Sequence, residues 1–262
     1  MNHPFRFRPA TQDAEIFHEV VDANCYNLPD TFRGHEVILD IGANIGAFTY
    51  AALTRGACEV HAFEPDRANF EAAQYNLRDF LDRAVLYHAA VWRSDRRDDV
   101  AYFKGYDVYT ACGHMHDADH GKPVAAQALD DIIREISKHG RRRIDLIKID
   151  CEGAEYPILL TSQLLRQVDC IVGEFHNFGC GFNKDHPLHA IPDRSKVAGY
   201  DRFTDAELIP YLRRRGFEVL VQRNEKFPKQ LGLFVARHAT SRLDRFSAVW
   251  RSLKGMLLRQ SA

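Results

Sequence analysis

The sequence predicts an α/β fold, a doubly wound and mostly parallel sheet with a C-terminal antiparallel hairpin and a basic amphipathic C-terminal helix. Three observations carry that prediction. From residue 36 onward short apolar runs alternate with longer helical ones, the pattern of a parallel sheet covered by helices. A glycine-bearing turn joins the first strand to the first helix of that series. The last two apolar runs, Phe217 to Val221 and Leu231 to Ala236, are joined by a polar turn.

Taken in order, residues 1–35 read as an N-terminal helix with a cap rather than a domain. Val37-Ile38-Leu39-Asp40-Ile41 is the first strand, and an alanine-rich helix runs from Gly46 to Leu53. Val60-His61-Ala62-Phe63 is the second strand, followed by a helix over residues 66–79 and a third strand at Val85-Leu86-Tyr87. Val100-Ala101-Tyr102-Phe103 alternates like an exposed edge strand, and Leu129 to Ile136 is helical. Ile144 to Ile149 is the fourth parallel strand, Tyr156 to Leu165 its helix, and Cys170 to Gly173 the fifth. Thr204-Asp205-Ala206-Glu207 reads as a capping box opening a helix that ends near Gly216.

The main domain is thus placed at 36–236, with two long connections, 105–123 and 175–203, as candidate lids or substrate loops. Residues 237–262 differ in kind, carrying a net charge of +5 and leaving −6 for the rest. Leu243, Phe246, Val249, Trp250, Leu253, Met256 and Leu257 fall at helical spacing there. Docking on the core or on a second copy in a homo-oligomer is one reading of this tail, and peripheral membrane contact the other.

Composition narrows the class. The 262 residues are 45% hydrophobic and 27% charged, which excludes disordered and fibrous architectures. A net charge of −1 lacks the positive field of a duplex-binding protein, so no nucleic-acid partner is expected. With no signal-like start and no run of about 18 apolar residues, a cytoplasmic location is expected. The six cysteines stand far apart, expected to be reduced and mostly buried.

The sharpest motif is Asp40-Ile41-Gly42-Ala43-Asn44-Ile45-Gly46, a turn whose glycines let backbone approach a ligand ahead of a helix N-terminus. It departs from the dinucleotide fingerprint Gly-x-Gly-x-x-Gly, because Asn44 replaces the middle glycine. Phe63-Glu64-Pro65 closes the next strand, where a carboxylate can accept hydrogen bonds from both hydroxyls of a ribose.

Together with Tyr75-Asn76, these motifs resemble the class I S-adenosylmethionine-dependent methyltransferases, and specifically the FkbM family. Ile147-Lys148-Ile149-Asp150-Cys151-Glu152-Gly153-Ala154-Glu155 resembles that family's second hallmark, Ile-Asp-x-Glu-Gly-x-Glu, and Ala89-Ala90-Val91 and Leu129-Asp130-Asp131 also fit. The resemblance covers about residues 12–236 and implies a seven-stranded sheet with S-adenosylmethionine as cofactor. It implies that Gly42, Ala43, Asn44 and Gly46 line the methionine and ribose part, that Glu64 holds the ribose hydroxyls, and that Pro65, Asp66 and Ala90 lie near the adenosine. Asp40 and Asp150 are counted with the cofactor residues. Thr49 either reaches the cofactor carboxylate or bonds to helix backbone.

Methyl transfer needs an in-line nucleophile held close to the methyl group, and a hydroxyl acceptor needs a base. Asp150, Glu152 and Glu155 lie just past the fourth strand, with Glu174 and His176 at the end of the fifth. His176 is the leading candidate base, alongside Glu174, Asp150 and Glu152; clustered carboxylates raise one another's pKa, which favours such a role. The alternatives are that Glu152 or Glu155 caps the next helix, and that His176 is a hydrogen-bonded neighbour. Amine methyltransferases often carry Asn/Asp-Pro-Pro-aromatic where this chain has Asp150-Cys151-Glu152-Gly153. The resemblance implies O-methylation of a hydroxyl on a sugar, glycan or natural product.

Cys112, His114, His116, Asp117, Asp119 and His120 crowd one loop, but the spacing is one residue too long for the zinc pattern His-x-His-x-Asp-His. That loop reads as a polar substrate loop, no metal ligands are expected, and a metal-dependent hydrolase is the lesser alternative. His186 and His189 are further candidate substrate contacts, with simple solvent exposure as the alternative. A non-catalytic scaffold that keeps the cofactor fold is the second alternative.

Overall fold

The computed structural model describes residues 5–105, 113–116, 120–182 and 184–238. The chain opens with a short helix α1 (Asp13–Phe17), which widens without a break into a π-helical turn, His18–Asp22. Then β1 (Val37–Ile41), α2 (Ala47–Thr54), β2 (Glu59–Phe63), α3 (Arg67–Asn76) and β3 (Ala84–Tyr87) alternate as the sequence predicts. Next come β4 (Ala90–Trp92), β5 (Val100–Lys104), β6 (His114–His116) and β7 (Lys122–Ala128). They are followed by α4 (Leu129–Ile136), β8 (Ile144–Ile149), α5 (Glu155–Thr161), β9 (Val168–His176), α6 (Asp205–Arg214), β10 (Phe217–Arg223) and β11 (Leu231–His238).

Seven strands form one sheet in the order β10-β11-β9-β8-β1-β2-β3. The five from β9 to β3 are parallel, and the β10–β11 hairpin adds to β9 antiparallel. After β1 the chain builds outward to β2 and β3; it later returns to the other side of β1 for β8 and β9. The reversal leaves a crevice at the carboxyl ends of β1 and β8, where open parallel sheets take their ligands.

Strand side chains alternate faces, and the two hydrophobic cores sort accordingly. Ile38, Val60, Leu146, Cys170 and Val172 pack beneath α2 and α3, whereas Leu39, Phe63, Ile147 and Ile171 pack beneath α4, α5 and α6. Both faces being covered, the strands read as nearly continuous apolar runs.

Several expectations are corrected. Residues 105–123 are not simply a loop: β6 pairs antiparallel with β5 from Tyr102 to Lys104, and β7 pairs with both β5 and β4 in a second sheet, β4-β7-β5-β6. Helix α5 stops at Thr161, short of Leu165, because Asp130 captures the Ser162 hydroxyl at 2.5 Å and the Gln163 N–H at 2.9 Å. The capping box does not close: the Thr204 hydroxyl bonds to the Glu207 carboxylate, and Asn177 Oδ1 takes the Asp205 N–H at 2.8 Å instead. Among the described cysteines Cys170 is buried and Cys58 exposed, with Cys25, Cys151 and Cys180 between. The expected basic helix lies outside the described residues beyond His238.

Candidate active site

The glycine turn sits at the mouth of the crevice. Gly42 has φ +77°, and a Cβ there would lie 2.0 Å from the Asp150 carbonyl oxygen, so the turn after β1 presses directly on the end of β8. The Gly42 and Ala43 N–H groups both donate to the Phe63 carbonyl at 3.1 and 3.0 Å, tying the turn to β2. Asn44 also adopts the left-handed region, with φ +51°. Asparagine tolerates that region better than most side chains, which explains how it stands where the dinucleotide fingerprint has glycine.

Lys148, opposite Asp40 in the β1–β8 register, fixes the turn from below. Its Nζ donates to the Gly42 carbonyl at 2.6 Å and stands 3.5 Å from Asp40 Oδ1. Burial opposes its charge, but Asp40 and the other nearby carboxylates outweigh that and raise its pKa. Asp40 also accepts from Thr49 Oγ1 at 2.7 Å. Both are fully buried, so the structure makes Asp40 and Thr49 supports of the turn and places neither on the cleft wall.

Glu64, at the end of β2, lines the cleft and is 5% exposed. Its carboxylate accepts the Asn44 N–H at 2.7 Å and the Asp66 N–H at 2.8 Å. Burial nevertheless pushes its pKa up to about 7, because two backbone donors do not replace full hydration. A buried carboxylate short of donors, facing a cleft, suits a ligand that brings hydroxyl groups.

The opposite end of the cleft is acidic. Asp150, Glu152 and Glu174 line it, with Glu19 from the π-helical turn. Tyr26 donates to Asp150 Oδ2 at 2.8 Å. Glu152 holds a left-handed φ of +52°, an uncommon conformation for glutamate and one that recurs at functional sites. Burial, reinforced by the neighbouring acids, raises the pKa of both Glu152 and Glu174.

His176 lies behind these carboxylates, 3% exposed and not on the cleft wall. Its Nδ1 meets Glu155 Oε1 at 3.0 Å, and the same oxygen accepts the His176 backbone N–H at 2.7 Å. Burial opposes a charge on the imidazole, but Glu152 and Glu155 outweigh it and hold the pKa well above the ordinary value. Lying off the cleft wall, the ring meets a ligand in the cleft only across the carboxylates in front of it. Glu155 is the first residue of α5, but its other oxygen accepts the Gly153 N–H at 2.9 Å, ahead of the helix, so its side chain ties β9 to the preceding turn rather than capping α5.

Of the other sequence candidates, Ala43, Asn44, Pro65 and Ala90 line the cleft with Gly42. Gly46 does not: at φ +85° a Cβ would lie 2.9 Å from Leu77 Cδ1, so it lets α2 and α3 approach. Asp66 is the N-cap of α3, accepting from the Ala68 and Asn69 N–H groups. His186 Nδ1 accepts the Leu188 N–H at 3.1 Å and the His186 ring stacks on Phe182, while His189 bonds the Phe182 carbonyl at 2.9 Å. Cys112, Asp117 and Asp119 lie outside the described residues. His114 bonds the Glu152 carbonyl at 3.1 Å.

Sequence reasoning missed Tyr26, Lys148 and the cleft wall formed by Ile16, Glu19 and Val20. A lysine between two isoleucines of a central strand was a readable signal, since a charge there needs a buried partner.

The chain matches the methyltransferase FkbM domain over residues 40–219. Methyltransferase 1 of Beauveria bassiana is 24% identical over 249 residues, covering 86% of this chain and 90% of that protein. The AMB antimetabolite synthetase AmbE of Pseudomonas aeruginosa is 26% identical over 224 residues, which is 72% of this chain and 10% of the synthetase. Methyltransferase sdnD of Sordaria araneosa is 26% identical over 55% of this chain and 66% of its own. Among solved structures, the N-terminal domain of EvdMO1 with SAH bound overlays with a TM-score of 0.42 at 16% identity, covering 89% of this chain and 82% of that one. The chain belongs to the FkbM family of methyltransferases, and S-adenosylmethionine is its methyl donor.

Proposed function

We propose that the protein methylates a hydroxyl oxygen of a small molecule, a sugar, glycan or natural product, in the cytoplasm. The observation that carries this reading is the polarity of one cleft: the Glu64 carboxylate at one end and Asp150, Glu152 and Glu174 at the other. In this reading Gly42, Ala43 and Asn44 lie along the methionine and ribose of the donor, Glu64 accepts the ribose hydroxyls, and Pro65 and Ala90 flank the adenosine.

S-adenosylmethionine supplies a methyl group on a sulfonium: the acceptor oxygen bonds to the methyl carbon, and the carbon–sulfur bond breaks with its electron pair left on sulfur. Glu152 takes the hydroxyl proton, being a cleft-lining carboxylate on the segment that follows β8. Asp150 and Glu174 orient the acceptor beside it. The Ile16, Glu19 and Val20 wall keeps water from the reacting atoms, and positioning of this kind supplies much of the rate.

The test is methyl transfer from isotopically labelled donor to a panel of sugars and hydroxylated natural products, with amines as controls. Labelled methyl ethers are the expected product, lost in Glu152→Gln while S-adenosylhomocysteine binding persists. Label on amines alone overturns the hydroxyl assignment. Donor binding without transfer to any acceptor favours a scaffold that retains the cofactor fold.

A further inference from the structure

We propose that Asp150, Glu174 and His176 form a binding site for one divalent cation on the acceptor side of the cleft. The three side chains come from the carboxyl ends of adjacent strands, β8 and β9, and offer ligand atoms that all lie within 4.8 Å of one another. His176 Nε2 is the centre of the arrangement. Glu152 Oε2 pairs with it at 3.3 Å, and Glu174 Oε2 and Asp150 Oδ1 flank it at 3.9 and 4.0 Å.

The two longer separations fit a shared cation better than direct pairing. Ligands bound at about 2.1–2.2 Å stand roughly 3 Å apart when adjacent and at most about 4.4 Å apart when opposite. The distances from Nε2 to Glu174 and Asp150 fall inside that range and outside hydrogen-bond reach.

The surroundings hold each ligand in a matching orientation. Glu155 Oε1 engages His176 Nδ1 at 3.0 Å, the outer carboxylate–histidine contact that fixes ring orientation and leaves Nε2 for a metal. Glu155 is itself anchored by the Gly153 and His176 N–H groups, so this orientation is rigid. Tyr26 occupies Asp150 Oδ2, leaving Oδ1 to face Nε2. The His176 side chain is 4% exposed, and its Nε2 is turned toward these carboxylates.

Two carboxylate oxygens and an imidazole select a first-row cation such as Mn²⁺ or Zn²⁺ over Ca²⁺, which takes six to eight oxygens. On the hydroxyl-methylation reading, on which this role rests, the cation would hold the acceptor oxygen and lower its pKa. Glu152 remains beside it as the proton acceptor.

The experiment is a Mn²⁺ titration of the full chain, stripped with chelator and dialysed, followed by electron paramagnetic resonance of the free ion. One saturable site per chain is expected, weakened about 10–100-fold by Glu155→Gln, a positioning change, and at least as much by Glu174→Gln. In the wild-type protein, imidazole signals of His176 broaden on Mn²⁺ addition, while those of exposed His35, ahead of β1, stay sharp. Absence of saturable Mn²⁺ or Zn²⁺ binding up to about 1 mM overturns the site. So does saturable binding that leaves His176 unbroadened. S-adenosylhomocysteine binding measured on the same samples separates the two readings: loss of that binding counts against the methyl-transfer assignment, whereas the Mn²⁺ stoichiometry decides the cation site.

Discussion

At the scale of single residues, the end of the cleft at the glycine turn depends on Asn44 and Glu64 acting as a pair. The Asn44 N–H that the left-handed turn exposes is spent on Glu64 at 2.7 Å, so the residue replacing a glycine also orients the carboxylate that we propose receives the ribose. Glu64→Ala should weaken S-adenosylhomocysteine binding by about 1.5–3 kcal/mol, the scale of a charge-assisted hydrogen bond, as measured by calorimetry. The pH dependence follows with a definite sign. Burial holds the Glu64 pKa at about 7 in the free protein, and ribose hydroxyls donating to the carboxylate favour its charged form. Below pH 7 binding must therefore release a proton, and affinity should fall as pH drops from 8 to 6. Titration in buffers of different ionisation enthalpy checks this, and a proton count of zero at pH 6 would show that Glu64 does not receive the ribose. The same raised pKa makes the neutral form the more stable one in the empty fold. Its contribution is complete below the unfolded pKa and is lost as pH rises through about 7.

At the scale of elements, the parallel βα units were legible and the additions to them were not. Val37 to Ile41 and Ile144 to Ile149 announce themselves because both faces of the sheet are covered, which demands apolar runs. Residues 105–123 gave no period, since β6 is three residues long and exists only by pairing with β5. The N-terminal segment was read as a cap, yet its place over the cleft depends on contacts no local pattern encodes. Tyr26 reaches Asp150 across 124 positions of sequence and packs its ring edge-on against Phe48 at 5.6 Å. Removing that hydroxyl leaves Asp150 Oδ2 without its donor while the ring packing survives. Tyr26→Phe should accordingly lower stability by about 1.5–3 kcal/mol in urea denaturation, the range for a hydrogen bond to a charged group. A change within about 0.5 kcal/mol would mean that water or the solvated cleft replaces the tyrosine.

At the scale of the whole molecule, folding and binding are coupled through the switch point between β1 and β8. The apolar run placed β1 in a parallel sheet, and the motifs placed Gly42 and Glu64 at its ligand-binding edge, while the sorting of Ile38 and Leu39 into opposite cores came from the structure. Sequence order alone did not show that the turn is clamped to β8 by Lys148 and by the close approach of Gly42 to Asp150. Because β1, β2 and β8 all end in the cleft, a ligand seated there bridges the central strands of the sheet and binds only the folded chain. S-adenosylhomocysteine at about one hundred times its Kd should stabilise the fold by about 2.7 kcal/mol. For a domain of this size each kcal/mol moves Tm by roughly 2–4 °C, giving an expected rise of about 5–11 °C in a thermal melt. Glu64→Ala at the same ligand concentration should lose most of that rise, because its weaker binding leaves a smaller excess over Kd. Gly42→Ala should instead lower Tm before any ligand is added, since its Cβ collides with the Asp150 carbonyl in the empty fold. If both variants shift only the ligand-free melt, the turn and Glu64 serve the fold alone, and the donor must be held elsewhere in the cleft.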